Sequence, residues 1–506
     1  MYNEAVSSRI LIYGVLLVAV STPAFGDSTT LLIFPFENQT ADRNIDWLGE
    51  GLSELILDRL YVERDLYLFD RMERISAYER VGIPESVPIS RATAIKLGRD
   101  LGADAVVTGR LLGTYENFTI EARVVDLAGL RVSRDFKAAG RIEDVIQMAD
   151  SLSAELSKTF TGNSAAAIDS SIPRSAFENY IRALLTQDPQ RRTDLLLEAV
   201  RLYPQYTAAM YQLGRAYHLD RDFNASNQSM ENIGSGSREY LQAQFLRGLN
   251  HYYLGDFAVA AGVFIALPPT NDVLINLGAA FASQGDGAGA LLAWRRASDK
   301  DPLGSDSVFN IAYWSFTKGD MEITIRSLEQ FMKLEGRDGE ALFLLGRAYE
   351  RVGRLEESRR LLTQAVRLSP RVERWLTQPL PNLQRLSSEA DPTELRLLFD
   401  ATLWNEPRLA RRAGGQDLSR WLEAVRTQLD SQLYGEAIRQ LQEISRVFPG
   451  AVDARLMLAE VYEGQGEYDL ALQAVQQALI LEPNNADAVA LKDVIERALA
   501  ASRQRL

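Results

Sequence analysis

The chain of 506 residues has no cysteine and only two histidines, His218 and His251. The first absence excludes disulfide frameworks, thiolate zinc sites, cysteine nucleophiles and cysteine-held iron–sulfur clusters. The second leaves little for a histidine acid–base relay. Lysine is scarce as well: seven of the 55 basic residues, so arginine carries nearly all the positive charge. A net charge of −13 argues against a bulk nucleic-acid binder, which needs a basic surface to neutralise phosphates. Glycine (34) and proline (17) are ordinary, which removes collagen-like and low-complexity classes. Long apolar runs are missing beyond one of eleven residues, 10–20, which is short for a hydrocarbon core of roughly 30 Å.

That run reads ILIYGVLLVAV. Pro23 breaks it, and Ala24-Phe25-Gly26 places small residues where a signal peptidase requires them. The expectation is a signal peptide over 1–26, cleaved after Gly26, and a periplasmic or exported protein with no membrane span once cleaved. A retained anchor is the alternative. With no cysteine after the run, a lipoprotein anchor is excluded. Asn38-Gln39-Thr40 has the form of a glycosylation sequon and reads as chance.

Residues 27–160 read as an α/β domain, a small mixed sheet with helices. Leu31-Leu32-Ile33-Phe34 is a continuous apolar run, as in a strand buried on both faces. Leu48, Leu52, Leu55, Ile56 and Leu60 recur at helical spacing, with Asp46 as the expected N-cap. Further strands are expected at 66–69 and 105–109, a helix at 92–101, and a hairpin over 119–138 turning at Ala128-Gly129. In its first strand Ile120, Ala122 and Val124 alternate with Thr119, Glu121 and Arg123, so one face is wet. A helix over 142–160 closes the domain.

FPFEN (34–38), WLGEGLSELILDRL (47–60), AIKLGRDLGADAVVTGRLL (94–112) and FTIEARVVDLAGLRV (118–132) occur in that order. Together they resemble the TolB-type amino-terminal domain, a small envelope module, and more distantly modules of outer-membrane secretion and flagellar assembly factors. The resemblance covers about 110 residues. It implies contacts within the cell envelope and carries over no catalytic residue.

Residues 161–172 are small and polar and read as a linker. Beyond them the chain repeats itself every 34 residues. One unit shows Leu277-Gly278, Phe281, Gly285-Asp286, Ala290, Trp294, Ala297 and Pro302. Two periods on stand Leu345-Gly346, Tyr349, Gly353-Arg354, Ser358, Leu362, Ala365 and Pro370, and the last unit has Leu458-Ala459, Tyr462, Gly466-Glu467, Ala471, Val475, Ala478 and Pro483. The pattern resembles the tetratricopeptide repeat: helix A, a glycine turn, helix B, a closing proline. No such unit buries its face alone, so an all-α superhelical solenoid is expected. Units 1–6 are placed over 173–371 and units 7–8 over 418–485. Between them 372–417 reads as an irregular helical insert, able to kink the array or divide it. Residues 486–506 read as a capping helix and tail, with Ala488, Leu491, Val494 and Ile495 facing inward.

On helix A, the fourth, seventh, eighth and eleventh places of a unit pack on helix B, and 3.6-residue spacing turns the second, fifth, ninth, twelfth and thirteenth the other way. In the repeat family that second face lines the groove. It carries Tyr211 and Arg215; Phe245, Tyr252 and Tyr253; Phe309, Tyr313 and Phe316; Phe343, Arg347 and Arg351. Tyrosine and arginine dominate interface hot spots, so such a face suits an extended peptide or helix with apolar and acidic residues. Packing between neighbouring repeats is the competing role for these aromatics. His218 and His251 lack the carboxylate spacing of a metal site, and Gly49-Glu50-Gly51 lacks the third glycine and lysine of a phosphate loop. No catalytic residue, metal or cofactor is expected. The function expected is a non-catalytic interaction scaffold of the bacterial cell envelope, with other envelope proteins or peptides as partners. The alternatives are an accessory subunit of an envelope secretion or outer-membrane assembly complex and, unsupported by any spacing, a carboxylate glycan hydrolase.

Overall fold

The computed structural model describes residues 29–503 except 64–65, 86, 128–130, 163–171, 302–303, 336–337, 400–421, 423–424, 427, 430–433, 448–450 and 482–484. The expected signal segment 1–26, most of the linker, the Ala128-Gly129 turn, Pro302, Pro483 and residues 400–417 of the insert lie outside the described residues.

Strands β1 (Thr29–Ile33), β2 (Glu37–Asn38), β3 (Leu66–Leu68), β4 (Ala105–Gly113), β5 (Phe118–Asp126) and β6 (Arg131–Gly140) form one mixed sheet. Its order is β3-β1-β4-β5-β6, with the short β2 paired to β4. β1 runs parallel to β3 and β4, while β4, β5 and β6 are antiparallel. The apolar run of β1 serves both faces. Leu31 and Ile33 join the core beneath α1 (Trp47–Leu60) and α4 (Val145–Thr161). Leu32 and Phe34 join the other core, with Tyr78 of α2 (Arg71–Arg80) and Leu97 of α3 (Arg91–Asp100).

One local expectation is corrected, and two elements are added. Asp46 stands at the start of α1 in helical backbone and makes no capping bond; its carboxylate instead accepts from Asn38 Nδ2 at 2.6 Å. β2 and α2 were not anticipated. α2 opens with a reciprocal capping box between Asp70 and Glu73, an Asp-x-x-Glu signal present in the sequence.

The array follows as antiparallel helix pairs: α5 (Arg174–Leu185) with α6 (Pro189–Leu202), α7 (Thr207–Leu219) with α8 (Phe223–Met230), and α9 (Tyr240–Leu254) with α10 (Phe257–Ala266). Next come α11 (Asn271–Gln284) with α12 (Gly287–Lys300), α13 (Ser305–Lys318) with α14 (Met321–Glu335), and α15 (Gly339–Arg351) with α16 (Leu355–Leu368). The glycine turn has a steric cause: Gly285, Gly353 and Gly466 have φ of 86°, 80° and 79°, the left-handed region that disfavours a Cβ. Inside a pair, a Cβ on Gly278 would stand 2.4 Å from Trp294 Nε1, so glycine is what lets α11 and α12 approach.

The α/β domain folds directly onto the first repeat. Phe177 of α5 meets Trp47 edge-on at 5.7 Å, and a Cβ on Gly51 would stand 2.9 Å from its ring. One apolar core therefore runs from β1 through α1 and α4 into α5, α6 and α7.

After α16 a 3-10 segment (Pro370–Leu376) leads into residues 377–391, which form neither helix nor strand, and then α17 (Pro392–Phe399). The expectation was an irregular helical insert, and α17 falls within it; residues 400–417 lie outside the described residues. The described part turns back along the array. Further on lie α18 (Tyr434–Val447), α19 (Val452–Gly464), α20 (Tyr468–Leu481) and α21 (Ala486–Arg503), which share a core of their own. In α21, Ala488 and Ile495 are buried, but Val494 is 43% exposed and does not face inward.

Candidate functional site: the groove of the helix array

The A helices α9, α11, α13 and α15 line a groove, and residues 379–391 of the same chain lie in it. Two asparagines, one repeat apart, hold the main chain of this segment. Asn310 Nδ2 donates to the carbonyl of Arg385 at 2.8 Å, and its Oδ1 accepts from the Arg385 amide at 2.7 Å. Asn276 does the same for Ser387, at 3.0 and 2.9 Å. The main chain of alternate residues thus faces the array, the two-residue period of an extended chain. Both asparagines are fully buried, and their amides are satisfied by the segment.

Side chains add selectivity. The Arg385 guanidinium lies 4.0 Å above the Phe309 ring and pairs with Asp338 at 2.9 Å and Asp306 at 3.4 Å. A cation over an aromatic face with two carboxylates at its rim is a site for arginine in particular. Ser387 Oγ donates to Asp272 at 2.6 Å, and the Asp391 amide reaches the same carboxylate at 3.3 Å. Burial pushes the Asp272 carboxyl above its ordinary value, against the lowering effect of these two bonds. Leu383 is buried against the α13–α15 core, and Leu386 packs against that of α9–α12.

The expected groove residues divide. Tyr252 donates to Gln384 Oε1 at 2.9 Å, Tyr313 to the Pro381 carbonyl at 3.1 Å, and Arg215 pairs with Glu389 at 3.1 Å. With Phe309, these four meet the segment. Phe343 meets Trp375, at the segment's root, edge-on at 5.5 Å. The others make contacts within the array. Phe245 packs on Phe264, Tyr253 stacks on Phe223, Phe316 lies under the Arg351 guanidinium at 4.2 Å, and Arg347 pairs with Glu350. Tyr211 lies beneath Arg215, its phenol pushed up to about 12 by burial. Asn276, Asn310, Asp272 and Asp306 were missed. The available signal was a repeated asparagine at the sixth place of two successive units, where the units on either side carry leucine (Leu246 and Leu344).

At its far end the segment reaches the α/β domain. Arg396 of α17 lies 4.3 Å above the Tyr61 ring, at the mouth of a cleft of about 310 Å³ shared by the domain and α5–α9. Charges are buried behind it. Arg238 pairs with Glu54 at 2.9 Å and Glu239 at 3.2 Å, Arg71 pairs with Glu50 at 2.9 Å, and Arg74 also bonds Glu50. Burial raises the Glu54 carboxyl, but Arg238 and Arg74 more than offset this and hold it below its ordinary value. Glu239 is pushed above its own by burial, which Arg238 only partly offsets. The histidines bond asparagines: His218 Nδ1 is 2.6 Å from Asn250 Oδ1. Among the described residues no group of three or more metal-ligating side chains converges. No described helix is long and apolar enough to cross a membrane.

Residues 339–372 and 422–489 match family models of the tetratricopeptide repeat, and the array is built of these repeats. No curated protein matches the chain. Among solved structures it is similar to PilW, titled a widely conserved type IV pilus biogenesis factor, at 16% identity over 40% of this chain and 98% of that one, with a TM-score of 0.35. MamA from Desulfovibrio magneticus RS-1 is similar at 18% identity over 33% and 97%, with a TM-score of 0.31. The LpoB C-terminal domain from Salmonella enterica is similar at 16% identity over 24% and 87%, with a TM-score of 0.20. Likenesses of this size say nothing about partners.

Proposed function

We propose that this protein is an exported, non-catalytic interaction scaffold of the bacterial cell envelope. In this reading a TolB-type domain engages one partner and the groove of the repeat array another. Holding both on one chain raises their effective concentration toward each other. The observation that supports it most is the pair Asn276 and Asn310. They hold the main chain of an extended segment, which is how a protein binds a peptide rather than a small substrate. Export rests on the apolar run at 10–20 and the small residues before Asp27. The envelope assignment rests on that run and on the family resemblance of the first domain.

The test is crosslinking in native envelopes followed by affinity recovery of the tagged chain, with N-terminal sequencing of the recovered protein. The expected result is a mature terminus at Asp27 and envelope proteins whose recovery falls in Y252A/Y313A while helical circular dichroism is unchanged. Unchanged recovery from that variant would refute the groove. An uncut terminus with only cytoplasmic partners would refute export. Recovery as a closed ring of fixed stoichiometry would favour a subunit of a secretion or assembly complex.

A further inference from the structure

The segment in the groove is part of the chain itself, yet little of its hold depends on covalent continuity. Its central hold is a set of four main-chain hydrogen bonds to Asn276 and Asn310, which any extended peptide can supply. Beyond the solvent-exposed Glu389, which pairs with Arg215, two side chains are read by carboxylates: Arg385, between Asp306 and Asp338 above Phe309, and Ser387, at Asp272. These two stand two residues apart, matched to asparagines 34 residues apart, so successive repeats read alternate residues of one peptide. With the segment gone, the groove floor would present two amides and three carboxylates, which water tolerates, beside the rings of Tyr252, Phe309 and Tyr313 and the apolar surface covered by Leu383 and Leu386. The open groove therefore favours an extended occupant with apolar as well as polar residues.

We propose that residues 379–391 are an internal stand-in for the groove's ligand, an extended segment of a partner protein carrying arginine and, two residues later, serine or threonine. This rests on the scaffold reading and gives the partner's chemistry. The partner peptide takes the same register, antiparallel to the order of repeats: arginine at α13 and α15, hydroxyl at α11. The tethered copy competes at an effective concentration of about millimolar order, so partner binding is gated by its release. Apparent affinity falls by the fraction of chains whose groove is open. Release also frees α17 and its Arg396 from Tyr61 of the α/β domain, so filling the groove in trans is coupled to that domain's cleft.

The test is fluorescence anisotropy with a labelled synthetic peptide of residues 379–391, PLPNLQRLSSEAD, and the full chain. A loosened chain, R385E/S387A, is expected to bind it at least about tenfold more tightly than the wild type. A peptide with its arginine changed to glutamate, or N-methylated at the arginine and serine amides, is expected to lose binding to the loosened chain. These peptide changes leave the protein's folding untouched. Should R385E/S387A lose its helical circular dichroism, R385Q replaces it with the same expected order of affinities. A folded, loosened chain that refuses the peptide, or binds the N-methylated form equally well, overturns the proposal. If that chain still captures envelope partners in a Tyr313-dependent way, the scaffold reading survives. If capture is lost too, both fall.

Discussion

The carboxamide of Asn310 satisfies both main-chain polar groups of Arg385, 75 residues further along the chain, with bonds of 2.8 and 2.7 Å. Asn276 repeats this at Ser387. Through this relationship a connecting segment becomes the occupant of the array's groove. Replacing Asn310 with alanine leaves the Arg385 amide and carbonyl without their partner. The expected cost of N310A is about 1–3 kcal/mol. It should show as a lower urea midpoint, with the bond from Arg385 Nη2 to Asp338 surviving.

At the seam between the α/β domain and the repeats, Arg238 is the shared partner of two buried carboxylates, Glu54 and Glu239. Removing it strands both charges in the interior. R238A is expected to destabilise the chain by about 3–5 kcal/mol, whereas loss of the exposed Arg359–Glu356 pair in R359A costs about 1 kcal/mol or less. Chemical denaturation followed by tryptophan fluorescence separates the two, because Trp47 sits at this seam.

The same seam should be sensitive to alkali. Tyr180 and Tyr206, with ring centroids 4.9 Å apart, are pushed by burial well above the ordinary phenol value of 10.0. Tyr78 and Tyr211 are pushed to about 12, also by burial. In the unfolded chain these phenols ionise near 10.0, and in the folded chain only higher. Their contribution is therefore complete below pH 10.0 and is lost as pH rises from there through the folded values. Absorbance at the tyrosinate band should show a fraction of the 19 tyrosines ionising only together with unfolding.

The close approach of α11 and α12 gives a packing prediction. In G278A the new methyl would meet the Trp294 indole, and overpacking is expected to cost about 1–3 kcal/mol. W294A, which empties a fully buried site, is expected to cost about 3–5 kcal/mol. Thermal unfolding of both variants gives the order: the cavity should lower Tm more than the added methyl.

The fold class was legible because it rests on strong periodic signals: a two-sided apolar strand at 31–34 and a 34-residue recurrence punctuated by glycine. The turn glycines take the backbone their place requires. Local polar choices were less legible. Asp46 looked like a cap, but the Asn38 amide, eight residues back, holds its carboxylate. Val494 fits a helical stripe yet stays exposed, while Ala488 and Ile495 of the same stripe are buried. In the groove, spacing singled out Tyr252, Phe309 and Tyr313, which meet the segment. It passed over Asn276 and Asn310, since a polar residue among apolar ones declares no partner. Their partner is a segment about 75 to 111 residues away in sequence, bound through its main chain, which composition and pattern do not encode.

Amide hydrogen exchange at Arg385 and Ser387 tests the central claim most directly. With their amides donated to Asn310 and Asn276, both should exchange far more slowly than an open loop, and N276A/N310A should release them while α11 and α13 stay protected. Exchange of both amides at open-loop rates in the wild-type chain would show the groove empty and contradict the account.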